Sequence, residues 1–539
     1  MKSKKILAVL CTLIIFIIGI AACSSTKPSV NSNAANFTQT ISLKEDVSSK
    51  PKYVFLFIGD GMSYPQIECT NYYLNALVNK TSMGSKENNT ILTKSHDALG
   101  FLDFPVTGSA QTYNSTSYCP DSSSAATAIS TGYRTYSGRI NMNEKATKAY
   151  ETIAEKLHKQ LGYKIGIVSS VNINHATPAA FYSHQKSRSS YYEIGLELIK
   201  SDFDYFAGGA FRKPAGKKEN KKDLYKLAEK SGYTVITTQK AAKKVTSDTG
   251  KVIIIDEHPA DSDSMNYEID RAGDEWALSD YVSKGIDCLS ENNDKGFFMM
   301  VEGGKIDWAC HANDAVTAMK DTKAFSDAVD EAVVFYHEHP DETLILVTGD
   351  HETGGMTIGY AGTNYNTYLQ NLSNQKMSFR KFYNKYVKKY KKKGTGFDKA
   401  MKDVTKQFGL VTEKDAGKKA DDTVEMDSND KHPAGAASKS LVLTDYELQK
   451  LKAAYKKTMT AKKGKKLTQK EYELYGSHDP FTVTIMHILN NKCGIGFTSY
   501  SHTGLPVAVF AMGAGQEKFE GFYDNTEIYK KMAELTGVK

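Results

Sequence analysis

The sequence predicts an α/β fold with a mostly parallel central sheet flanked by helices, and three observations carry the prediction. Strand-length apolar runs recur without polar alternation, segments of helical spacing lie between several of them, and acidic and histidine residues collect where runs end. A continuous apolar run suits a strand covered on both faces, as in a parallel sheet, whereas a half-exposed strand alternates.

The first run is Tyr53-Val54-Phe55-Leu56-Phe57-Ile58, closed by Gly59-Asp60-Gly61. Ile165–Val168, Val252–Ile255, Phe297–Val301, Thr343–Thr348 and Val507–Phe510 follow. Between the runs Phe297–Val301 and Thr343–Thr348, Ala315–Tyr336 places Phe325, Ala328, Val329, Ala332 and Val333 at helical spacing. Strands alternating with helices give α/β architecture. Ligand sites in such sheets gather beyond the carboxyl ends of the strands. Asp60, Glu302 and the pair Asp350-His351 stand there, each after a different run, so one converging polar site is expected.

The chain has 539 residues, 40% hydrophobic and 24% charged, ample for a large core. Its net charge of +7 is small for the length and gives no reason to expect a nucleic-acid partner. Met1-Lys2-Ser3-Lys4-Lys5 followed by apolar Ile6–Ile20 has the form of a signal peptide. Ile20-Ala21-Ala22-Cys23 resembles a bacterial lipobox, in which the Cys23 thiol is acylated and the chain is cut before it. An ordinary signal peptide or a short membrane anchor is the plainer alternative, although the run is short for a spanning helix. The expected organisation is a signal peptide at 1–22, a Ser/Asn/Thr-rich tether at 23–51 and a catalytic domain at 52–539. This makes the protein an extracytoplasmic, membrane-anchored lipoprotein of the cell envelope. Cys69, Cys119, Cys288, Cys310 and Cys493 show no paired spacing, so each is expected to be a buried small apolar residue.

The stretch from about 361 to 490 differs in composition. It carries Lys388-Lys389-Tyr390-Lys391-Lys392-Lys393 and Lys462-Lys463-Gly464-Lys465-Lys466, and Leu448, Leu451 and Tyr455 at helical spacing. It reads as an inserted, partly helical, surface-exposed subdomain whose lysines form solvated faces; binding to an anionic envelope polymer is the alternative.

Asp307 and His311, four apart, share one face if helical and can grip one metal ion. Asp350-His351 offers an adjacent oxygen–nitrogen pair, and His502 stands before the last buried run. Mixed His/Asp sets without sulfur suit catalytic zinc, and all-oxygen sets suit magnesium. Ser122 follows Pro120-Asp121 and precedes small helix-compatible residues, so it falls at a helix N-terminus, where free N–H groups favour phosphate. The plainer alternative is that Asp121 or Ser122 only caps that helix.

The ordered set Gly59-Asp60-Gly61-Met62, Asp121-Ser122, His175-Ala176-Thr177-Pro178, His184-Gln185-Lys186-Ser187-Arg188, Glu302 to His311, Thr348-Gly349-Asp350-His351-Glu352-Thr353 and His502-Thr503-Gly504 resembles the alkaline phosphatase family. The resemblance implies an alkaline-phosphatase-like fold and hydrolysis of small phosphate monoesters through a phosphoserine on Ser122. It implies two zinc ions, one held by Asp307, His311 and His502 and the other by Asp60, Asp350 and His351. It also implies one magnesium ion on Asp60, Thr177 and Glu302, an Arg188 fork on the phosphate oxygens, and a homodimer. Some relatives have Asp at His175 and Lys or His at Trp308. A sulfatase needs a Cys/Ser-x-Pro-x-Arg motif that Ser122 lacks, and related phosphodiesterases usually use Thr and lack the Arg188 element. A non-catalytic lipid-anchored metal-binding protein would need neither Ser122 nor Arg188.

Overall fold

The computed structural model describes residues 50–79, 98–363, 366–420, 422, 440–461 and 466–539. The signal segment, Cys23, nearly all of the tether, and Lys462 to Lys465 lie outside them.

Ten strands form the main sheet. In chain order they are β1 Tyr53–Gly59, β2 Val106–Gln111, β3 Lys164–Asn172, β4 Tyr205–Gly209, β5 Thr234–Ile236, β6 Val252–Ile255, β7 Phe297–Glu302 and β8 Thr343–Gly349. Two short ribbon strands, β9 Glu352–Thr353 and β10 Met356–Ile358, then find their partners late in the chain, as β12 His502–Thr503 and β11 Ile495–Phe497. The sheet is completed by β13 Val507–Gly513 and β14 Gly521–Asp524, in the spatial order β14-β2-β13-β8-β1-β7-β3-β4-β6-β5. Within this ten-stranded sheet every pairing is parallel except those of β13, which runs antiparallel to both β8 and β2. The sheet is therefore mostly parallel, as predicted, and each of the six apolar runs is a strand.

Strand β1 shows why its run is uninterrupted. Tyr53, Phe55 and Phe57 point into one hydrophobic cluster with Phe297, Phe325 and Phe335, while Val54, Leu56 and Ile58 point into a second cluster on the other face. Successive side chains leave a strand on opposite faces, so burial of both demands apolar residues throughout. The helix Ala315–Glu338 covers the first face with Phe325, Ala328, Val329 and Ala332 buried, and Asp314 caps it by accepting the Thr317 N–H at 3.1 Å.

The stretch at 361–490 leaves from β10 and returns at β11. These two strands pair antiparallel, Ile358 opposite Ile495, and Gly359 N donates to Gly494 O at 2.7 Å just beyond. Between them the described residues form helices that include Phe397–Phe408, Asp445–Thr460 and Pro480–Lys492. Lys388, Lys389 and Lys391 to Lys393 face solvent, whereas Phe379, Phe382, Phe408, Phe481 and Ile485 join the same cluster as Phe55 and Phe325. Phe379 N and Gln375 Nε2 donate to the Asp314 carboxylate at 2.8 and 2.7 Å. The lysines thus form one face of helices whose other face belongs to the main core, the usual arrangement for an amphipathic helix. Cys69, Cys288, Cys310 and Cys493 are buried and free, but Cys119 is exposed, against expectation. It lies in the turn that leads into the Ser122 helix, where no described residue covers it.

Candidate active site

Parallel register brings the first acids together. Ile58 of β1 lies opposite Glu302 of β7 and Thr348 of β8, and Gly59 opposite Gly349, so Asp60, Glu302 and Asp350 emerge side by side at one sheet edge. The helix Lys305–His311 follows β7 directly and carries Asp307 and His311 one turn apart. Strand β12 pairs with β9, His502 opposite Thr353, which carries His502 from the C-terminal part of the chain to His351. The two imidazoles stack at 3.6 Å between ring centres.

Asp60, Asp350 and His351 form one cluster of donor atoms, Asp307, His351 and His502 another, and Asp60, His175 and Glu302 a third. His311 Nε2 lies 3.3 Å from Asp307 Oδ2 and 3.3 Å from His502 Nε2, so it joins the second group. Thr177 Oγ1 lies 3.3 Å from Asp60 Oδ2, beside the third. The structure therefore assembles every residue of the expected sets and adds His175 to the third.

The imidazoles are oriented by their outer nitrogens. His311 Nδ1 donates to the Tyr500 carbonyl and His502 Nδ1 to the Pro120 carbonyl, both at 2.6 Å, which leaves the two Nε2 lone pairs facing each other. Thr353 Oγ1 donates to Asp307 Oδ1 at 2.6 Å and lies 3.3 Å from His351 Nδ1, fixing that ring as well. Facing lone pairs repel unless a cation lies between them. Asp350 Oδ2, Glu302 Oε1 and His175 Nδ1 are buried without a hydrogen bond. Unpartnered buried acceptors are costly, and a bound cation satisfies them. The donors are nitrogen and oxygen only, so the set fits divalent metal ions.

Without such ions three of the acids hold their protons more tightly than usual. Burial, then the charges of Asp350, Asp307 and Glu302, push the Asp60 carboxyl far above the ordinary range. Burial does the same to Asp350 and lifts Glu302 to about 7 against the Ser169 hydroxyl bonded to it. Although burial opposes both shifts, the His311–Asp307 pair holds Asp307 well below its ordinary value and raises His311 to about 9. Burial first, and then the charge of Arg188, drives His175 down to about 3.

Ser122 is the first residue of the helix Ser122–Thr131. Its Oγ lies 3.2 Å from His351 Nε2 and 3.5 Å from Asp60 Oδ1. Asp121 is the N-cap, accepting the Ser124 N–H at 3.3 Å, so both sequence readings of this turn hold: Asp121 caps and Ser122 faces the acids. Asp121 also accepts from Arg188 Nη1 at 2.9 Å. Arg188 is thereby placed beside the helix N-terminus, close enough for its charge to act on Asp60.

Sequence reasoning did not find Asn313. It follows the helix Lys305–His311 in a left-handed conformation with φ 52°, which favours Asn over most side chains. Its Nδ2 donates to Ser499 O at 2.9 Å and to Cys310 O at 3.0 Å, while its Oδ1 lies 2.9 Å from His487 Nε2. Its own carbonyl accepts from Asn490 at 2.8 Å. Asn313 thus ties the end of the His311 helix to the loop whose Tyr500 carbonyl orients His311, and both to the helix Pro480–Lys492. Outer partners of this kind typically change metal affinity by roughly 10–100-fold. Asn313→Ala is expected to weaken metal retention by about that factor, measured as the chelator concentration that halves activity; unchanged retention would deny it this role.

This sheet, with a helix-start serine and an arginine beside clustered His and Asp groups that fit metal ions, has the make-up of a phosphohydrolase. Alkaline phosphatase 4 of Bacillus subtilis (strain 168) is 30% identical to the chain over 505 residues, covering 91% of the chain and 90% of that protein. Alkaline phosphatase 3 of the same organism is 29% identical over 489 residues, covering 89% and 88%. The crystal structure of a cold-active alkaline phosphatase from the psychrophile Shewanella sp. superposes with a TM-score of 0.67 at 26% identity, covering 90% of this chain and 99% of that one. The family model described as alkaline phosphatase matches residues 51–538, and the chain belongs to the alkaline phosphatase family.

Proposed function

We propose that this phosphatase hydrolyses phosphate monoesters by transferring the phosphoryl group to Ser122 and then to water, outside the cytoplasm. The observation that carries this reading is Ser122 Oγ, held 3.2 Å from His351 Nε2 and 3.5 Å from Asp60 Oδ1 at a helix N-terminus. We assign two zinc ions to the nitrogen-containing sets (Asp307, His311 and His502; Asp60, Asp350 and His351) and magnesium to Asp60, Thr177 and Glu302. His175 stands within reach of that last set. Bound there, the ions supply Lewis-acid stabilisation of the entering and leaving oxygens of an in-line displacement.

The protein's own groups do the rest. Asp60 and His351 fix the Ser122 hydroxyl. The first N–H groups of the Ser122 helix and the Arg188 fork, itself held by Asp121, favour the phosphate oxygens. Phosphoryl transfer needs little beyond such positioning and charge stabilisation. Release of p-nitrophenol from its phosphate, with no release from its sulfate or bis-ester, tests the assignment against a sulfatase or phosphodiesterase. Arg188→Ala is expected to lose charged hydrogen bonds worth roughly 1.5–3 kcal/mol each. That is about ten- to a hundredfold in phosphate affinity, read as product inhibition. Equal inhibition of both forms would remove Arg188 from the site.

The anchoring assignment rests on Ile20-Ala21-Ala22-Cys23 after a basic and apolar leader. Among the described residues no helix is long and apolar enough to cross a membrane. A single acyl chain holds a protein only marginally, so the proposed lipoprotein cysteine carries more than one. Cys23→Ser is expected to release the enzyme from membranes with unchanged specific activity, and retention in the membrane fraction would instead make the leader a transmembrane anchor. A homodimer is the proposed assembly, on the resemblance alone.

A further inference from the structure

Beside Arg188 the protein has built a second cationic position that the reaction at Ser122 does not use. Asn174 is buried and its amide is fully committed: Nδ2 donates to the Tyr191 and Arg212 carbonyls at 2.8 and 3.1 Å, and Oδ1 accepts the Arg212 N–H at 2.8 Å. One buried side chain therefore sets the backbone of Arg212 against that of Tyr191. The neighbouring His175 ring lies 6.4 Å from the Tyr191 ring at an interplanar angle of 15°, and 5.8 Å from Trp308. The Arg212 guanidinium lies 4.9 Å from the centre of the Tyr191 ring, and the Lys213 ammonium 5.2 Å.

Two cations thus share one aromatic ring next to the active site, and among the described residues neither has a carboxylate within ion-pair distance. Elsewhere on this surface the lysines do find acids, as Lys221 does with Glu193 and Lys251 with Asp202. Both positive charges lie at that ring without an acid among the described residues to offset them, and Lys213 is in a left-handed conformation (φ 54°) that a side chain seldom adopts. An anion approaching this ring is drawn by both charges. The adjoining site already takes one phosphate, so a second phosphate on the same substrate meets both positions at once.

We infer that Tyr191, Arg212 and Lys213 form a subsite for a second phosphate, which directs the enzyme toward bisphosphorylated monoesters. This rests on the phosphatase reading above and adds the substrate class. The test compares fructose 1,6-bisphosphate, fructose 6-phosphate and p-nitrophenyl phosphate on the metal-loaded enzyme and on the Arg212→Gln/Lys213→Gln double variant. We expect the KM for the bisphosphate to rise roughly fivefold, the upper size of one exposed charge contact, with kcat unchanged. The KM values for the two monophosphates should stay within about twofold. The exposed pair Lys217→Gln/Lys218→Gln removes the same charge nearby and should change nothing, separating a built subsite from general attraction. Calorimetric binding of the bisphosphate to Ser122→Ala, with and without the double change, gives the same answer without turnover. Equal losses on all three substrates, or no change with the bisphosphate, overturns the subsite. Failure of the wild type to hydrolyse p-nitrophenyl phosphate would overturn the phosphatase reading instead and leave the calorimetric result to decide the subsite.

Discussion

Ser122→Ala is expected to abolish phosphoenzyme formation and to lower kcat by roughly three orders of magnitude or more, the scale on which loss of an activated nucleophile is felt. The Ser122 side chain is buried and its Oγ is set between His351 and Asp60, so no neighbouring hydroxyl can substitute without moving the helix start. Ser123 is the nearest alternative, but its Oγ donates to Asp121 at 2.6 Å. Folding should be unaffected, because Asp121 still caps the helix. Acid-quenched labelling with radioactive phosphate checks the result. Undiminished label in the variant would place the nucleophile elsewhere.

The second large effect follows from metal removal. Chelation is expected to eliminate activity and to reverse the pH dependence of stability. In the metal-free protein Glu302 is raised from an ordinary value near 4.5 to about 7, and His311 from 6.5 to about 9. Both groups therefore hold protons more tightly folded than unfolded. Their contribution is fully present at low pH and is lost as pH rises, through about 7 for Glu302 and about 9 for His311. The buried histidines held below their ordinary value, His175 among them, oppose this trend up to about pH 7.5, so the metal-free Tm should fall between about pH 7.5 and 9.5, where His311 loses its proton. Metal ions displace those same protons, so reloading should be tighter at the alkaline end and the loaded enzyme should keep its Tm there. Calorimetric scans of chelated and reloaded protein at several pH values decide this. A metal-free Tm that rises over that range would show that His311 does not hold its proton.

What the sequence made legible follows from where constraint is local. The central strands were readable because burial on both faces removes polar residues from Tyr53–Ile58 and Phe297–Val301. β2 was not readable, because its buried and exposed positions alternate over Val-Thr-Gly-Ser-Ala-Gln with hardly an apolar signal. β5 is three residues long, and a run that short carries no period. Of the site, the strand-end acids, the Asp307–His311 helix pair and the Ser122 helix start have local signatures. Asn313 and Asn174 have none, since most of the groups they hold lie far away in sequence. The lysine-rich stretch read as a surface feature because counting charges hides the face on which Phe379, Phe382 and Phe481 lie.

The pairing of β9 with β12 has a consequence for the order in which the protein comes into being. Asp60 emerges with the first strand, but His502 reaches it only after the whole excursion between β10 and β11 has closed and the last part of the chain has been made. Closing so long a loop comes late, since its entropy must be met before the contacts it permits are gained. An unfinished chain therefore has acids but no complete cage.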